Sequence, residues 1–216
     1  MDSNYKVSKY SFWDSNESYA GDMDCISEYT YYNDSIVIIS DSRSVTARGD
    51  YAKGIYYLNK SGLADSSYHE LDHGHLSKRF FKHLYNYDSS SYLVADSVKR
   101  KEQNSFSLYL VNTYEYSDGN LIKLNEKYIG STPSTYTYTY TYNIIENLFS
   151  LFGTFKGKPN KNLVQTTTTL LNNGEIHSST NDYKLYLNGL IEETVNITSS
   201  DSIKYILTIN YTYNIR

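Results

Sequence analysis

The chain has 216 residues and a formal net charge of −4, and 26 of its residues are tyrosines. This length fits one β domain with a substantial core, and the charge offers no global attraction to nucleic acid or to anionic lipid. No apolar run reaches about 18 residues, which excludes a membrane-spanning helix. Cys25 is the only cysteine, so the chain cannot form an internal disulfide.

A repeated unit runs along the sequence: two tyrosines close together, a polar turn, and then Leu or Ile among mixed residues. Most copies start about 26 to 29 residues apart, which suits two strands of roughly ten residues joined by a tight turn. The turns contain Ser61-Gly62, Asp118-Gly119, Asn173-Gly174 and Asn188-Gly189, which can supply positive φ. The copies start at Tyr29, Tyr56, Tyr85, Tyr114, Tyr140, Tyr183 and Tyr211.

These repeats predict an all-β fold: an antiparallel meander of long hairpins that forms one strongly curved sheet or a partly open barrel. We expect a single domain over residues 1–216, with N-terminal strands in 1–50 and the hairpin repeats in 50–216.

Two segments interrupt the rhythm and predict short helical inserts. In the first, Leu76, Phe80 and Leu84 recur every four residues while Lys78, Arg79 and Lys82 face away. In the second, apolar residues follow a helical stripe from Ile144 to Phe155, and Gly157 and Pro159 stop it. Because both inserts lie between strands and present an apolar face, we expect them to cover or plug the sheet.

Tyrosines and threonines alternate strictly over residues 135–142, which places every tyrosine on one face of a strand. Such a row either pairs with neighbouring strands or offers rings that stack on a ligand or a partner. Tyrosines near the second insert are candidates to line a cavity for a hydrophobic or amphipathic ligand. The predicted ligand-binding residues are Leu148, Phe149, Phe152, Phe155, Tyr138 and Tyr140.

The string from His69 to His73 reads HELDH and fits a zinc motif in which two histidines four apart on a helix bind the metal. Gly74 follows at once, and Asp72 adds a charge where such helices are usually apolar. We therefore predict a polar loop, no cofactor and no catalytic residues. His69, His73 and His75 remain weak candidates for metal binding.

Several segments, in this order, resemble one known family: TYTYTYTYN, NLFSLFGTFKGKPNKN, VQTTTTLLNNGE and YLNGLIEETV followed by YILTINYTYN. The family is a domain of unknown function, porin-like in fold, found in envelope lipoproteins of Gram-negative gut bacteria. The units YNYDSSSYLVADSV and YEYSDGNLIKL are also similar to the YD repeats of RHS proteins. The resemblance covers roughly residues 50–216. It implies export, a strongly curved sheet and attachment through a lipid on a cysteine outside these residues.

Three functions compete at this stage. The first is a non-enzymatic envelope protein that binds a hydrophobic or amphipathic ligand, or a protein partner, on its curved sheet. The second is a zinc-dependent hydrolase that uses HELDH. The third is an outer-membrane barrel. Several strands are polar on both faces, which argues against this function. Residues 1–4 show no export signal, so the envelope location rests on the resemblance alone.

Overall fold

The computed structural model describes residues 9–14, 23–44, 50–72, 78–147, 156–187, 191–200 and 203–210. Within these ranges the chain forms fourteen β-strands, and only a single helical turn appears, near residue 156. The strands are β1 (Lys9–Asp14), β2 (Met23–Tyr31), β3 (Ser35–Ser44), β4 (Asp50–Leu58), β5 (Ala64–Asp72), β6 (Arg79–Tyr87), β7 (Leu93–Glu102), β8 (Ser105–Ser117), β9 (Asn120–Tyr128), β10 (Ser134–Glu146), β11 (Asn162–Leu170), β12 (Ile176–Leu185), β13 (Ile191–Ser200) and β14 (Ile203–Asn210).

Each strand pairs antiparallel with the strands before and after it in the sequence. β1 also lies beside β14, where Asp14 aligns with Ile209, so the sheet curves until its first and last strands meet. The prediction of an all-β antiparallel meander of long hairpins is confirmed. Each sequence repeat corresponds to two strands, because β4, β6, β8 and β10 begin about one repeat apart, at Asp50, Arg79, Ser105 and Ser134.

The turn glycines adopt the left-handed backbone that their sequence context predicts. The φ angle is 75° at Gly62, 83° at Gly119 and 84° at Gly174, and Asp118 also has a positive φ of 51°. A residue with a Cβ is disfavoured in this region, so glycine fixes the position of these tight turns. The fourth predicted turn, at 188–189, lies outside the described residues.

Five hairpins that turn at the same end of the sheet each carry a β-bulge in their second strand. In the β8–β9 hairpin, Glu115 aligns with Lys123 but Tyr116 aligns with Leu121, which leaves Ile122 without a partner. A bulge bends its strand and increases the local twist. A row of them therefore curves the sheet at this end, which we call the bulged rim. The other four extra residues are Asp65, Val94, Gln165 and Glu192.

Three of these bulges receive a hydrogen bond from a tyrosine on the next strand. The hydroxyl groups of Tyr87, Tyr142 and Tyr183 donate to the backbone carbonyls of Ala64, Leu121 and Val164, at 2.7, 2.5 and 2.6 Å. Each acceptor is the residue directly before the extra one, where the ladder is interrupted. Burial raises the pKa of Tyr87 to about 12, so its hydroxyl keeps the proton that it donates.

Register assigns the two faces of the sheet, because residues aligned across an antiparallel pair point to the same side. Tyr56 aligns with Ser67, Tyr85 with Asp96, and Asp96 with Asn112. All five side chains are buried, so we call this side the inner face. The opposite, outer face carries exposed apolar side chains, among them Tyr57, Leu84 and Leu108. One cluster of buried apolar residues lies on the inner face and comprises Ile36, Tyr56, Ala64 and Tyr85.

The helix predicted around residues 76–84 is wrong. Phe80 and Leu84 lie in β6, with Lys82 between them on the same outer face. A spacing of four residues fits a strand as well as a helix, since four is a multiple of the strand period of two. In the second predicted helix, Ile144 and Ile145 belong to the end of β10, and residues 148–155 lie outside the described part. No helix in the described ranges is long and apolar enough to cross a membrane.

Replacing Tyr142 by phenylalanine removes its hydroxyl and leaves the Leu121 carbonyl without this donor. We expect the free energy of unfolding to fall by about 1–2 kcal/mol, the cost of a buried acceptor that loses its hydrogen bond. Urea unfolding followed by circular dichroism measures the change. Tyr57→Phe is the matched control, because Tyr57 is half exposed on the outer face and should change stability by less than about 0.5 kcal/mol. Equal losses in the two variants would contradict the role of the hydrogen bond.

Candidate functional site

The structure places only some of the predicted site residues. Tyr138 and Tyr140 lie on the inner face of β10, where Tyr138 aligns with Leu124 of β9. His69 lies on the inner face of β5. The remaining predicted residues fall outside the described ranges: Leu148, Phe149, Phe152, Phe155, His73 and His75.

We call Tyr114, Glu126, Tyr138, Tyr140 and Tyr142 the tyrosine wall. Register brings them to one side of β8, β9 and β10, because Tyr114 aligns with Leu124, and Leu124 with Tyr138. The Tyr138 hydroxyl donates a hydrogen bond to Glu126 Oε2 at 3.0 Å. Burial, followed by the nearby Glu126 carboxylate, raises the pKa of Tyr138 well above its usual value. The wall therefore presents protonated hydroxyls next to an acidic acceptor.

Aromatic contacts on the same face join the three strands that carry the wall. The ring of Tyr128 meets Tyr109 at a centroid distance of 5.5 Å and Tyr136 at 5.7 Å, both edge to face. These pairs tie β8, β9 and β10 together through side chains, which is one of the two roles that the sequence predicts for the tyrosine row. Pairs of this kind contribute about 0.5–1.5 kcal/mol each beyond area burial.

A second group on the inner face, the histidine cluster, consists of Ser67, His69, His83, Tyr85 and Asp96. Ser67 Oγ lies 2.8 Å from His69 Nε2 and 2.7 Å from the Tyr85 hydroxyl. His83 Nδ1 lies 3.3 Å from Asp96 Oδ1, and the two histidine rings are 4.9 Å apart. Burial, then the nearby His83 and Lys156, lowers the pKa of His69 to about 4. His69 is therefore neutral at neutral pH.

Asn112 connects the two groups and has an unused acceptor. It aligns with Asp96 on one side and with Glu126 on the other. Its Nδ2 donates to Asp96 Oδ2 at 3.3 Å, while its Oδ1 is buried with no hydrogen-bond partner among the described residues. A buried acceptor without a donor costs about 1–3 kcal/mol. Because this oxygen is shielded from solvent, its missing donor is a cost to the fold and not a contact offered to a ligand.

The histidine cluster contains a serine, histidines and an aspartate, but their bonds do not form one relay. Nucleophilic catalysis requires one histidine that contacts both the serine and the carboxylate. Here Ser67 contacts His69, whereas Asp96 contacts His83. Ser67 is also only 2% exposed. The geometry suits a rigid polar lining better than an attacking hydroxyl.

The HELDH string does not form the helix that its zinc chemistry requires, and the polar loop predicted for it is wrong over residues 69–72. Residues 69–72 belong to β5, so Glu70 points to the face opposite His69 and binds Lys78 Nζ at 2.6 Å. Across the described ranges, no group of three or more His, Cys, Asp or Glu side chains is placed to hold a metal ion.

The segment 156–161, which leads into β11, lies across the bulged rim. The backbone N–H of Lys161 donates to the Gly119 carbonyl, and that of Lys158 donates to the Ser91 carbonyl, both at 2.9 Å. The Lys156 ammonium lies 4.8 Å from the ring centroid of Tyr56 on the inner face. This segment, which follows the second insert, therefore covers part of the bulged rim.

Comparison with known proteins supports the fold. The chain is similar to a porin-like protein from Bacteroides uniformis ATCC 8492, with 17% identity, a TM-score of 0.57, and 95% of this chain and 96% of that chain covered. It is also similar to a porin-like protein from Bacteroides vulgatus ATCC 8482, with 13% identity, a TM-score of 0.65, and coverage of 94% and 97%. A porin-like fold is thereby shown. No family model and no curated protein matches, so kinship with a domain of unknown function or with YD repeats stays a prediction.

Sequence reasoning missed the polar half of the site: Ser67, His83, Asp96, Asn112 and Glu126. The only signal was a polar residue among apolar neighbours, as for Asp96 in the run LVADSV. That signal could not show which polar residues would meet, because their contacts depend on the register between strands.

Acidification tests the environment of His69. Its folded pKa of about 4 is below the ordinary value of 6.5, so its stabilising contribution is full above about pH 6.5 and is lost as the pH falls towards 4. Between about pH 7 and pH 5, we expect wild type to lose roughly 1–2 kcal/mol more stability than His69→Gln. Urea unfolding at both pH values measures this. The control is His177→Gln, at a more exposed site beside Glu175, which should lose as much stability between the two pH values as wild type does. If His69→Gln also lost as much stability as wild type, the assignment would be contradicted.

Gly157 should be required for segment 156–161 to pack against the bulged rim. Its φ is 103°, and a Cβ there would lie 2.9 Å from the Ser91 carbonyl oxygen. We expect Gly157→Ala to lower the free energy of unfolding by about 1–3 kcal/mol, measured by urea unfolding. Gly130→Ala is the control, because a Cβ there meets no atom within 4 Å. If Gly157→Ala were as stable as wild type, the segment would not be held where the structure places it.

Proposed function

We propose that this chain is a non-enzymatic protein of the cell envelope that binds a neutral amphipathic ligand on its inner face. The division of side chains between the two faces carries the proposal. On β10 the tyrosines lie inside and the threonines outside. A tyrosine ring offers apolar contact and its hydroxyl offers a polar contact at the same place. A wall of such residues suits a molecule that combines both properties.

The polar atoms of the inner face indicate which polar head group of an amphipathic ligand would fit there. The Glu126 carboxylate and the tyrosine hydroxyls of the wall lie on this face, together with the carboxylate of Asp96. Hydroxyl groups on a ligand would supply donors to these acceptors. Beside the tyrosine wall, an anionic head group would be repelled by the Glu126 carboxylate. We therefore propose a neutral, hydroxyl-bearing head group attached to an apolar tail.

The porin-like fold of the structural neighbours supports a location in the envelope. In this proposal the protein is exported and held at the membrane by a lipid anchor. Fractionation of cells that express the full-length gene tests this part separately. We expect the protein in the envelope fraction and a shift in its mass when lipid attachment is blocked. Recovery in the cytosolic fraction would contradict it.

The two alternatives from the sequence have less support. A sheet that crossed a bilayer would need an apolar outer band, whereas the outer face carries ion pairs such as Lys123 with Glu115 and Lys184 with Glu192, both at 3.0 Å. A zinc hydrolase would need HELDH on a helix, and residues 69–72 form a strand. We therefore propose neither function.

Binding of n-octyl glucoside, a neutral probe with a hydroxylated head and an apolar tail, tests the ligand proposal. Calorimetry below the micelle threshold should detect saturable binding to the purified chain. Tyr138→Ala and Tyr140→Ala should each weaken it about three- to tenfold, since an aromatic contact contributes about 0.5–1.5 kcal/mol.

The control is Thr139→Ala, which changes the outer face of the same strand and should bind like wild type. Glucose alone should bind more weakly than the glycoside, because it lacks the apolar tail. Absence of binding to wild type, or an equal loss in Thr139→Ala, would refute the proposed ligand class while leaving the envelope location to its own test.

A further inference from the structure

The outer face of β5 to β8 carries a group of side chains unlike the rest of that face. Three aromatic rings lie together there: Tyr68 stacks on Phe80 at a centroid distance of 6.1 Å and meets Phe106 edge to face at 6.4 Å. Three lysines lie on the same face: two of them contact the rings, and the third is aligned with one of these two. We call this group the cationic patch, and its members are Tyr68, Phe80, Lys82, Lys99, Lys101 and Phe106.

The lysines of the patch are held in place by the rings and by register. The Lys82 ammonium lies 4.5 Å from the Phe106 ring centroid, and the Lys101 ammonium lies 5.2 Å from that of Phe80. Lys82 and Lys99 are directly aligned on β6 and β7. Like charges in this position destabilise a sheet, so folding alone gives no reason for the pair.

The carboxylates at the edge of the patch are bound to another cation. Glu70, which aligns with Phe80, contacts Lys78 Nζ at 2.6 Å, and Asp72 contacts the same ammonium at 3.6 Å. By contrast, none of the three patch lysines forms an ion pair with a carboxylate in the described part of the chain. Three positive charges are therefore left for an external anion.

Exposed aliphatic side chains extend the patch. Leu84 and Leu108 are 45% and 42% exposed, and Leu108 aligns with Lys99. Lysines that extend their ammonium groups beyond an apolar surface, together with aromatic rings, match the region where lipid head groups meet acyl chains. An acidic protein partner would use the charges but would not need the exposed aliphatic and aromatic area around them.

We propose that the cationic patch docks this protein on an anionic lipid surface. Charge complementarity is the main argument: the whole chain has a net charge of −4, yet the patch concentrates three unpaired lysines. The rest of the protein is repelled by an anionic bilayer, so the patch also determines which side faces the membrane. This inference is independent of the ligand proposed for the inner face, since the patch lies on the opposite side of the sheet.

Sedimentation with lipid vesicles tests the proposal. The full chain should bind vesicles that contain phosphatidylglycerol and phosphatidylcholine in roughly equal parts, and added sodium chloride should weaken the binding. Vesicles of phosphatidylcholine alone should bind much less of the protein. Replacing Lys82, Lys99 and Lys101 together by glutamine should weaken binding roughly a hundredfold, since each lysine near an anionic surface contributes about fivefold.

The matched control replaces Lys60, Lys123 and Lys184 by glutamine. It changes the net charge by the same amount, but all three lysines lie outside the patch, and Lys123 and Lys184 are paired with carboxylates. This variant should bind within about threefold of wild type. The triple Lys→Arg variant of the patch should retain binding, which separates charge from folding. Equal losses in patch and control variants, equal binding to both vesicle types, or binding to polyglutamate but not to vesicles would each overturn the proposal.

Discussion

The curvature of this sheet depends on a bulge that recurs in five hairpins and on the tyrosine hydroxyls that satisfy three of them. A bulge interrupts the backbone hydrogen bonds between strands. A buried carbonyl left without a donor there would lower the stability of the fold. Tyr87, Tyr142 and Tyr183 each reach across to such a carbonyl from the following strand. The tyrosine content of the chain is therefore explained in part by backbone geometry: the same side chain fills the inner face and donates to the interrupted ladder.

Because the tyrosines turn inward, the two faces have different chemistry. Inside, hydroxyl groups, two carboxylates and a neutral histidine are held in fixed positions by their neighbours. Outside, threonines and ion pairs alternate with exposed apolar side chains, and one sector between β5 and β8 combines rings with unpaired lysines. The proposed ligand and the proposed membrane surface thus use opposite sides of one sheet, and neither competes with the other for side chains.

Much of the fold could be predicted from local sequence. The alternation around Tyr138 identifies the inner face of β10, and glycines such as Gly119 determine where hairpins turn. The helix predicted around Phe80 failed because a spacing of four satisfies two periods, and the sequence alone could not decide between them. The strand is favoured once β5 and β7 supply backbone partners on both sides. Strand pairing of this kind is a long-range contact that no local window contains.

The site was less predictable than the fold for the same reason. The contact of Ser67 with Tyr85 and that of Asp96 with Asn112 join residues on different strands. Their meeting depends on register, which each bulge shifts by one residue. An error of one position would send Asp96 to the outer face and remove the cluster altogether.

The repetition of the bulge has an evolutionary consequence. A hairpin brings its own extra residue, and in the three described cases the next hairpin or strand brings the tyrosine that completes it. Duplication of a unit that carries both the bulge and the tyrosine would supply the new junction with its own hydrogen bond. The circumference of this architecture can therefore grow in steps of two strands, without a new solution to the problem of bending the sheet.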